Sequence, residues 1–167
     1  MKRINTVLLE LTVGILDVLY RERHFQRFWV LEVIARAPYF AFLSVLHFRE
    51  SLGLRTPSHF LLMAEHFRQT VNETEHLQEM ERRGGARYWV DRFLAYHLVL
   101  VYYWCNVGYY FIAPKSAYHL AAEVEKHATH TYEFYLLTVD RDDTRIREIM
   151  EDEHTHHSEL LKAMEMI

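Results

Sequence analysis

The sequence predicts an all-α protein in which four of six helices form a bundle. Only five Gly and three Pro occur among 167 residues, which is low for a protein built of strands and tight turns. Half of the residues are apolar and a quarter are charged, and the apolar residues recur at helical spacing. Because this length suits one domain with a substantial core, we expect residues 1–167 to form a single domain.

The first helix is predicted over residues 6–20. Glu10 and Asp17 interrupt an otherwise apolar surface, so this helix should lie flat against an apolar environment. Its apolar stripe consists of Leu8, Leu11, Ile15 and Leu19, widened by Val7 and Val18.

The second and third helices are predicted to form a hairpin. The second runs from residue 24 to about residue 51 and contains Pro38, where we expect a kink. Residues 51–57 form a turn, and Ser58 is the expected N-cap of the third helix. Gly84 and Gly85 are predicted to end that helix after Arg83.

The fourth helix is predicted over about residues 89–113, with Pro114 ending it. The fifth and sixth helices, over about residues 115–138 and 144–166, flank a turn whose acidic residues are suited to N-capping.

Charge and cysteine content exclude some classes of partner and bond. The net charge is −4 and no basic run is present, so we expect no nucleic-acid partner. The lone Cys105 excludes an internal disulfide. The first residues have no features of a secretory signal or a transit segment, so we expect no targeting peptide in this chain.

Two pairs of Glu and His residues indicate metal binding. Glu73 and His76 form an E-x-x-H pair on the third helix, and Glu153 and His156 form another on the sixth. A spacing of three residues places both members of a pair on one helix face. The second and fifth helices each add one glutamate. The complete predicted ligand set is Glu32, Glu73, His76, Glu125, Glu153 and His156.

This ligand set suits a pair of iron ions. Iron accepts hard carboxylate oxygen and imidazole nitrogen donors, and bridging carboxylates offset the repulsion between two cations. Two helices with an E-x-x-H pair and two with a single glutamate are typical of the ferritin-like di-iron carboxylate bundles. We therefore predict a di-iron centre in a ferritin-like four-helix bundle of helices 2, 3, 5 and 6.

Each glutamate outside the pairs has a simpler interpretation. Glu32 could pair with Arg36 one turn later, and Glu125 could join Lys126 and His127 in a surface patch. The hairpin register favours a shared site instead. The glutamates of helices 2 and 3 have their midpoint between Leu52 and Gly53, inside the predicted turn, and those of helices 5 and 6 centre on Val139. Both hairpins thus place their ligands level.

The fourth helix tests this topology. Residues 93–114 contain no formal charge and are long enough to span a bilayer. A span would start helices 3 and 5 on opposite membrane faces and separate their ligands. We therefore expect helix 4 to lie beside the bundle, with helices 1 and 4 providing interfacial membrane attachment in one leaflet. The aromatic residues suited to an interface, or alternatively to a buried helix, are Tyr102, Tyr103, Trp104, Tyr109 and Tyr110.

The residues around the predicted ligands resemble the alternative oxidases, and most closely the plastid terminal oxidase (plastoquinol oxidase) branch. The similarity covers nearly the whole chain in order. The matching stretches are RFWVLEVIARAPYFAF at 27–42, NETEHL at 72–77, DRFLA at 91–95, AYH at 117–119, EKHATHTY at 125–132 and DEHTH at 152–156.

The resemblance implies a membrane-associated quinol oxidase. Such an enzyme oxidises two quinols, plastoquinol or ubiquinol, and reduces dioxygen to water in a four-electron reaction without proton pumping. The family is described as a homodimer bound to one leaflet, which implies a peripheral or monotopic protein of a bacterial-type inner or thylakoid-like membrane.

The resemblance also implies roles for individual residues. Tyr132 matches the redox-active tyrosine, a role favoured by this match over that of a core tyrosine with a satisfied hydroxyl. The remaining matches are quinol-contacting positions at Arg27, Leu31, Ala35 and Thr131, and positions that orient the ligands at Asn72 and Asp152. Arg27 could instead be a surface cation, and Asn72 and Asp152 could be ordinary solvated residues.

The chain departs from the family between helices 5 and 6. The family usually has a longer connection here, with aromatic residues near the site, whereas the segment between Tyr132 and Glu153 is short. A soluble ferritin-like ferroxidase or another di-iron oxygenase would share the ligands without needing apolar outer helices. A non-enzymatic membrane-associated bundle is a third alternative.

Overall fold

Six helices connected by short turns account for almost all of the residues that the structure describes. The computed structural model describes residues 2–167, apart from the side chains of residues 2–4 and 8, so Leu8 of the predicted stripe lies outside the described side chains. None of the described residues lies in a β-strand. The helices are α1 (Lys2–Leu19), α2 (His24–Ser51), α3 (His59–Arg82), α4 (Trp89–Ile112), α5 (Pro114–Thr138) and α6 (Thr144–Glu165).

The helical prediction is confirmed, with small differences at some ends. Helix α1 starts at Lys2 rather than at residue 6. Pro114 does not end α4 but is the first residue of α5, because a proline at this position needs no partner for a backbone N–H. Pro38 lies inside the continuous helix α2.

The turns of the two hairpins are stabilised by a glycine conformation in one and by a helix cap in the other. Between α2 and α3, Gly53 adopts a φ of 73°, which only glycine does at low cost. Before α6, the Asp143 carboxylate accepts a hydrogen bond of 3.1 Å from the backbone N–H of Ile146 and acts as the N-cap. Ser58 precedes α3 but makes no capping bond; its hydroxyl donates to the carbonyl of Met166 instead.

The bundle consists of α2, α3, α5 and α6, with the hairpin pairs α2–α3 and α5–α6 in extensive contact. Helix α4 packs beside this bundle against α2 and α5, and α1 packs against α5. The predicted crossover position of α4 is thereby confirmed. Among the described helices, α2 is the one whose length and hydropathy would allow a membrane span, but 72% of its apolar window is buried inside the protein, as in a core helix.

The outer faces of α1 and α4 carry exposed apolar side chains, whereas their inner faces are buried. Trp104 is exposed, but Tyr110 is fully buried and shares a hydrogen bond of 2.9 Å with Tyr118. The interfacial interpretation therefore fails for Tyr110, because this residue faces α2 and α5 rather than the surface.

Two apolar clusters pack on either side of a polar layer in the bundle. One cluster contains Phe28, Trp29, Tyr132 and Ile149. The other contains Phe42, Tyr118 and Leu160. Since the candidate ligands lie between these clusters, the fold keeps them away from bulk water.

Candidate metal centre

The bundle brings all six predicted ligands into one buried layer. Their side chains form two groups, and within each group the candidate donor atoms lie within 4.8 Å of one another. The Glu32 site consists of Glu32, Glu73, His76 and Glu153, and the Glu125 site consists of Glu73, Glu125, Glu153 and His156. Glu73 and Glu153 belong to both groups, so their two carboxylates are placed to bridge two cations.

The unsatisfied polar atoms of the protein concentrate at these two sites. Buried polar atoms normally have a hydrogen-bond partner, so a group of buried polar atoms without one indicates a binding site for a ligand. The buried site atoms without a hydrogen bond are Glu32 Oε2, Glu73 Oε1 and Oε2, Glu125 Oε2, Glu153 Oε2 and His156 Nδ1. These are hard oxygen and imidazole nitrogen donors pointing into one space, and they fit a pair of iron ions.

Electrostatics support the same interpretation. Burial, followed by repulsion from neighbouring carboxylates, raises the pKa of both Glu73 and Glu153 well above the usual range. Four ionised glutamates at one place would carry four negative charges, which two divalent cations would balance. Without cations, part of this charge must be removed by protonation.

A carboxylate outside the ligand set orients His76. The Nδ1 atom of His76 lies 3.1 Å from Oε1 of Glu153, whereas its Nε2 atom lies 3.0 Å from Oδ2 of Asp152. Asn72 donates a 3.3 Å hydrogen bond to the same Asp152 oxygen. Burial alone would lower the pKa of His76, but the nearby carboxylates of Asp152 and Glu32 outweigh it and raise the pKa to about 10.

The environment of His156 shifts its pKa in the opposite direction to that of His76. The Nδ1 atom of His156 lies 2.7 Å from Oε1 of Glu73, but the two groups are not aligned for a hydrogen bond. Burial is the main cause of a lowered pKa for His156. A neutral imidazole is the form that binds metal, so this environment favours the ligating state.

Tyr132 contacts the Glu32 site directly. Its side chain is fully buried, and its hydroxyl donates a hydrogen bond to Oε1 of Glu32. The simpler pairing of Glu32 with Arg36 does not occur. Burial, followed by the charge of Glu32, raises the pKa of Tyr132 well above its usual range.

Tyr39 is a further contact that sequence reasoning missed. Its hydroxyl donates a 2.7 Å hydrogen bond to Oε1 of Glu125, and both residues are buried. Glu125 therefore faces the core and does not join Lys126 and His127 in a surface patch. The signal was present in the sequence, because Tyr39 follows Glu32 by the same seven residues that separate Tyr132 from Glu125.

The predicted quinol-contacting residues lie on α2 and α5. Leu31, Ala35 and Thr131 are buried. Arg27 is partly exposed and forms an ion pair of 2.7 Å with Asp17 of α1. Burial lowers the pKa of His127, and the positive charge of the Arg27 guanidinium lowers it further. The Nε2 atom of His127 lies 3.3 Å from the Thr131 hydroxyl.

A surface cavity of about 440 Å³ lies between α3 and α6, and none of the predicted quinol-contacting residues lines it. That cavity lies on the Asp152 side of the metal sites. Its lining consists of Phe67, Arg68, Val71, Asn72, Glu75 and Asp152.

A helical bundle that buries four glutamates and two histidines in two groups with shared carboxylates defines the class of ferritin-like dinuclear carboxylate proteins. Within that class, residues 3–165 match the family model described as Alternative oxidase, and the chain belongs to the alternative oxidase family. The family is a di-iron one.

A curated relative supports this assignment. The chain is 46% identical over 133 residues to "Ubiquinol oxidase 4, chloroplastic/chromoplastic" of Arabidopsis thaliana. The match covers 80% of this chain and 37% of the relative, so the chain spans little more than a third of that protein's length. No solved structure matches the chain.

Proposed function

We propose that this chain is a membrane-associated di-iron quinol oxidase that couples quinol oxidation to the four-electron reduction of dioxygen to water, without proton pumping. The observation that carries the proposal is the pair of buried Glu/His groups sharing Glu73 and Glu153 in a member of the alternative oxidase family. Two quinols would supply four electrons and four protons, and the products would be two quinones and two water molecules. Residues 1–167 would act as one di-iron carboxylate domain.

The six buried donors would hold the two irons. Glu73 and Glu153 would bridge them, while the remaining ligands would each bind one iron: Glu32 and His76 at one site, and Glu125 and His156 at the other. When bound, the irons supply redox-active centres with open positions for dioxygen.

The chain's own residues would orient the ligands and move protons. Asp152 would accept a hydrogen bond from Nε2 of His76, so that Nδ1 of His76 faces the metal layer. Asn72 would fix the orientation of Asp152 by donating a hydrogen bond to it. Tyr132 would be the catalytic tyrosine, because its hydroxyl already donates to Glu32 and can pass its proton to that carboxylate. The apolar clusters on both sides would exclude water from the site.

The quinol would bind between α2 and α5. Leu31 and Ala35 offer apolar contacts, and Arg27 offers a hydrogen-bond donor for a quinol oxygen. The Thr131 hydroxyl donates to the carbonyl of His127, so its oxygen would accept a hydrogen bond from a quinol hydroxyl. The ion pair with Asp17 connects Arg27 to α1, so the route to the site would begin beside that helix.

Apolar side chains on the outer faces of α1 and α4 favour a quinol oxidase over a soluble ferroxidase, which would share the ligands. Val18 of α1 and Leu98 of α4 are among them, with exposed fractions of 81% and 66%. Such faces suit a peripheral or monotopic protein embedded in one leaflet. We also propose a homodimer, supported by family membership and testable by light scattering of the purified protein.

Oxygen uptake by purified, iron-loaded protein tests the proposal. We expect uptake with a quinol, and no uptake by Glu125→Ala, because that variant lacks a carboxylate donor of one iron. Glu123→Ala is the matched control, since Glu123 lies on the same helix outside the ligand set. Normal turnover by Glu125→Ala would refute the assignment. A comparison of ubiquinol with plastoquinol would then identify the substrate.

A further inference from the structure

We infer that Tyr39 is a positioning residue for the Glu125 site: its hydroxyl holds one oxygen of Glu125 so that the other oxygen faces the cation. This inference rests on the proposed di-iron function. Tyr39 belongs neither to the predicted metal ligands nor to the predicted catalytic residues.

The geometry of Glu125 divides its two oxygens between two tasks. Oε1 accepts the 2.7 Å hydrogen bond from the Tyr39 hydroxyl, whereas the buried Oε2 atom has no hydrogen-bond partner. The terminal torsion of a glutamate is otherwise broad, with no sharply preferred angle. A charge-assisted hydrogen bond to one oxygen therefore fixes the direction of the other before a cation arrives.

The contact has a counterpart at the other site. Tyr39 follows Glu32 by seven residues on α2, and Tyr132 follows Glu125 by seven residues on α5. The Tyr39 hydroxyl donates a hydrogen bond to Glu125, and the Tyr132 hydroxyl donates one to Glu32. The two helices run antiparallel, and each provides a tyrosine that bonds to the glutamate of the other. Each glutamate that belongs to a single site is thus held by a phenol from the opposite helix.

The ring and the hydroxyl of Tyr39 have separable roles. The ring packs in the core, with centroid distances of 6.3 Å to Phe42, 6.1 Å to His66 and 5.9 Å to His156. Only the hydroxyl reaches Glu125. The Tyr39→Phe variant therefore keeps the packing and removes the hydrogen bond alone.

An anaerobic Fe(II) titration with a competing chelator tests the inference without relying on turnover. Wild type should bind two irons. In Tyr39→Phe we expect the affinity for one iron to stay within about threefold of the wild-type value and the affinity for the other iron to fall about tenfold or more. A loss of this size is typical when a group that orients a metal ligand is removed. Tyr118→Phe is the matched control, because Tyr118 is a buried tyrosine whose hydroxyl bonds to His66 rather than to a ligand.

A second variant separates a hydrogen-bonding role from a merely structural one. Tyr39→4-aminophenylalanine keeps an N–H donor at the end of the ring and should bind both irons with affinities within about threefold of wild type. If Tyr39→Phe does not fold, this variant carries the test, and loss of one iron from it would overturn the inference.

The outcomes distinguish the inference from the function on which it rests. Unchanged affinity for both irons in Tyr39→Phe, beside a wild type that binds two, would overturn the role of Tyr39 and leave the di-iron proposal standing. Similar loss in Tyr118→Phe would also overturn it, since any buried hydroxyl would then have the same effect. A wild type that binds no iron would overturn both.

Discussion

The Nε2 atom of His76 lies 3.0 Å from Oδ2 of Asp152, on the side of the ring that faces away from the candidate metals. Because the two residues lie on different helices, this contact couples the orientation of one ligand to the packing of α3 against α6. The hydrogen bond to His76 is also the main cause of a lowered pKa for Asp152, which keeps that carboxylate charged.

We expect Asp152→Ala to weaken iron binding by about 10- to 100-fold, because His76 would lose the partner that fixes its ring. Asp152→Asn should lose less, since its amide oxygen can still accept from Nε2. The measurement is iron affinity by chelator competition. Glu151→Ala, a change at the exposed neighbouring carboxylate, is the control and should bind iron as wild type does. Equal affinities for Asp152→Ala and wild type would contradict the positioning role.

The shared carboxylates should differ from the unshared ones in metal stoichiometry. Glu73 belongs to both groups of candidate ligands, whereas Glu125 belongs to one. We expect Glu73→Ala to lose both irons and Glu125→Ala to retain about one iron per chain. Elemental analysis after equilibration with Fe(II) provides the count. Retention of one iron by Glu73→Ala would argue against a bridging carboxylate.

The ligand layer was predictable from the sequence because it depends on two regularities. The E-x-x-H spacing places donors on one helix face, and the hairpin turns set the level of Glu32 against that of Glu73. Neither regularity requires knowledge of how α2 faces α5. Together with the ligand pattern of di-iron carboxylate bundles, these regularities were enough to predict the six residues of the site.

Contacts between helices that are distant in sequence were not predictable in this way. The bond from Tyr39 to Glu125 depends on the rotation of α2 about its axis relative to α5. The ion pair of Asp17 with Arg27 depends on where α1 packs. The choice between an interfacial and a buried position for Tyr110 could not be made from the sequence, because a uniformly apolar helix such as α4 does not identify its buried face by pattern.

Gly85 should be intolerant of a side chain, for a reason other than backbone conformation. A Cβ atom there would lie 2.5 Å from the carbonyl oxygen of Phe25 and 2.6 Å from Cβ of Trp29. We expect Gly85→Ala to reduce the free energy of unfolding by about 1–3 kcal/mol through overpacking. Gly108→Ala is the control: a Cβ at this helical position meets nothing within 4 Å, so a gain of about 0.5–1 kcal/mol is expected. Thermal melting of both variants checks the contrast, and equal effects would refute it.

His66 should make the fold sensitive to acid. Burial lowers its pKa from 6.5 to about 4, outweighing the opposing effects of Gln69 and Glu159. Its Nε2 atom lies 2.8 Å from the Tyr118 hydroxyl and its Nδ1 atom 2.9 Å from the Gln69 side-chain oxygen. A neutral ring that carries its proton on Nδ1 satisfies both partners.

The sign of the pH dependence follows from this depressed pKa. Between about pH 6.5 and pH 4 the unfolded chain takes up a proton at His66 that the folded chain does not. The stabilising contribution is complete above pH 6.5 and is lost as the pH falls toward 4, by about 3 kcal/mol in total. Denaturant unfolding at several pH values should show a smaller acid-dependent loss for His66→Gln than for wild type. Identical slopes for the two proteins would contradict the assignment.

Membrane binding should depend on the exposed apolar face of α4. Leu98 and Val101 lie one turn apart on this helix and are 66% and 63% exposed, away from every candidate ligand. Burying an apolar side chain of this size contributes about 1.5–3 kcal/mol. The double change Leu98→Asp and Val101→Asp should therefore lower the fraction that floats with liposomes by tenfold or more, while the iron content stays that of wild type. Leu61→Asp is the matched control, because Leu61 is exposed on α3, which packs against α2 and α6. Two outcomes would contradict this prediction. If the double variant floats as well as wild type, the surface of α4 does not attach the protein to the bilayer. If the Leu61→Asp variant also fails to float, flotation depends on the general apolarity of the surface rather than on this face of α4.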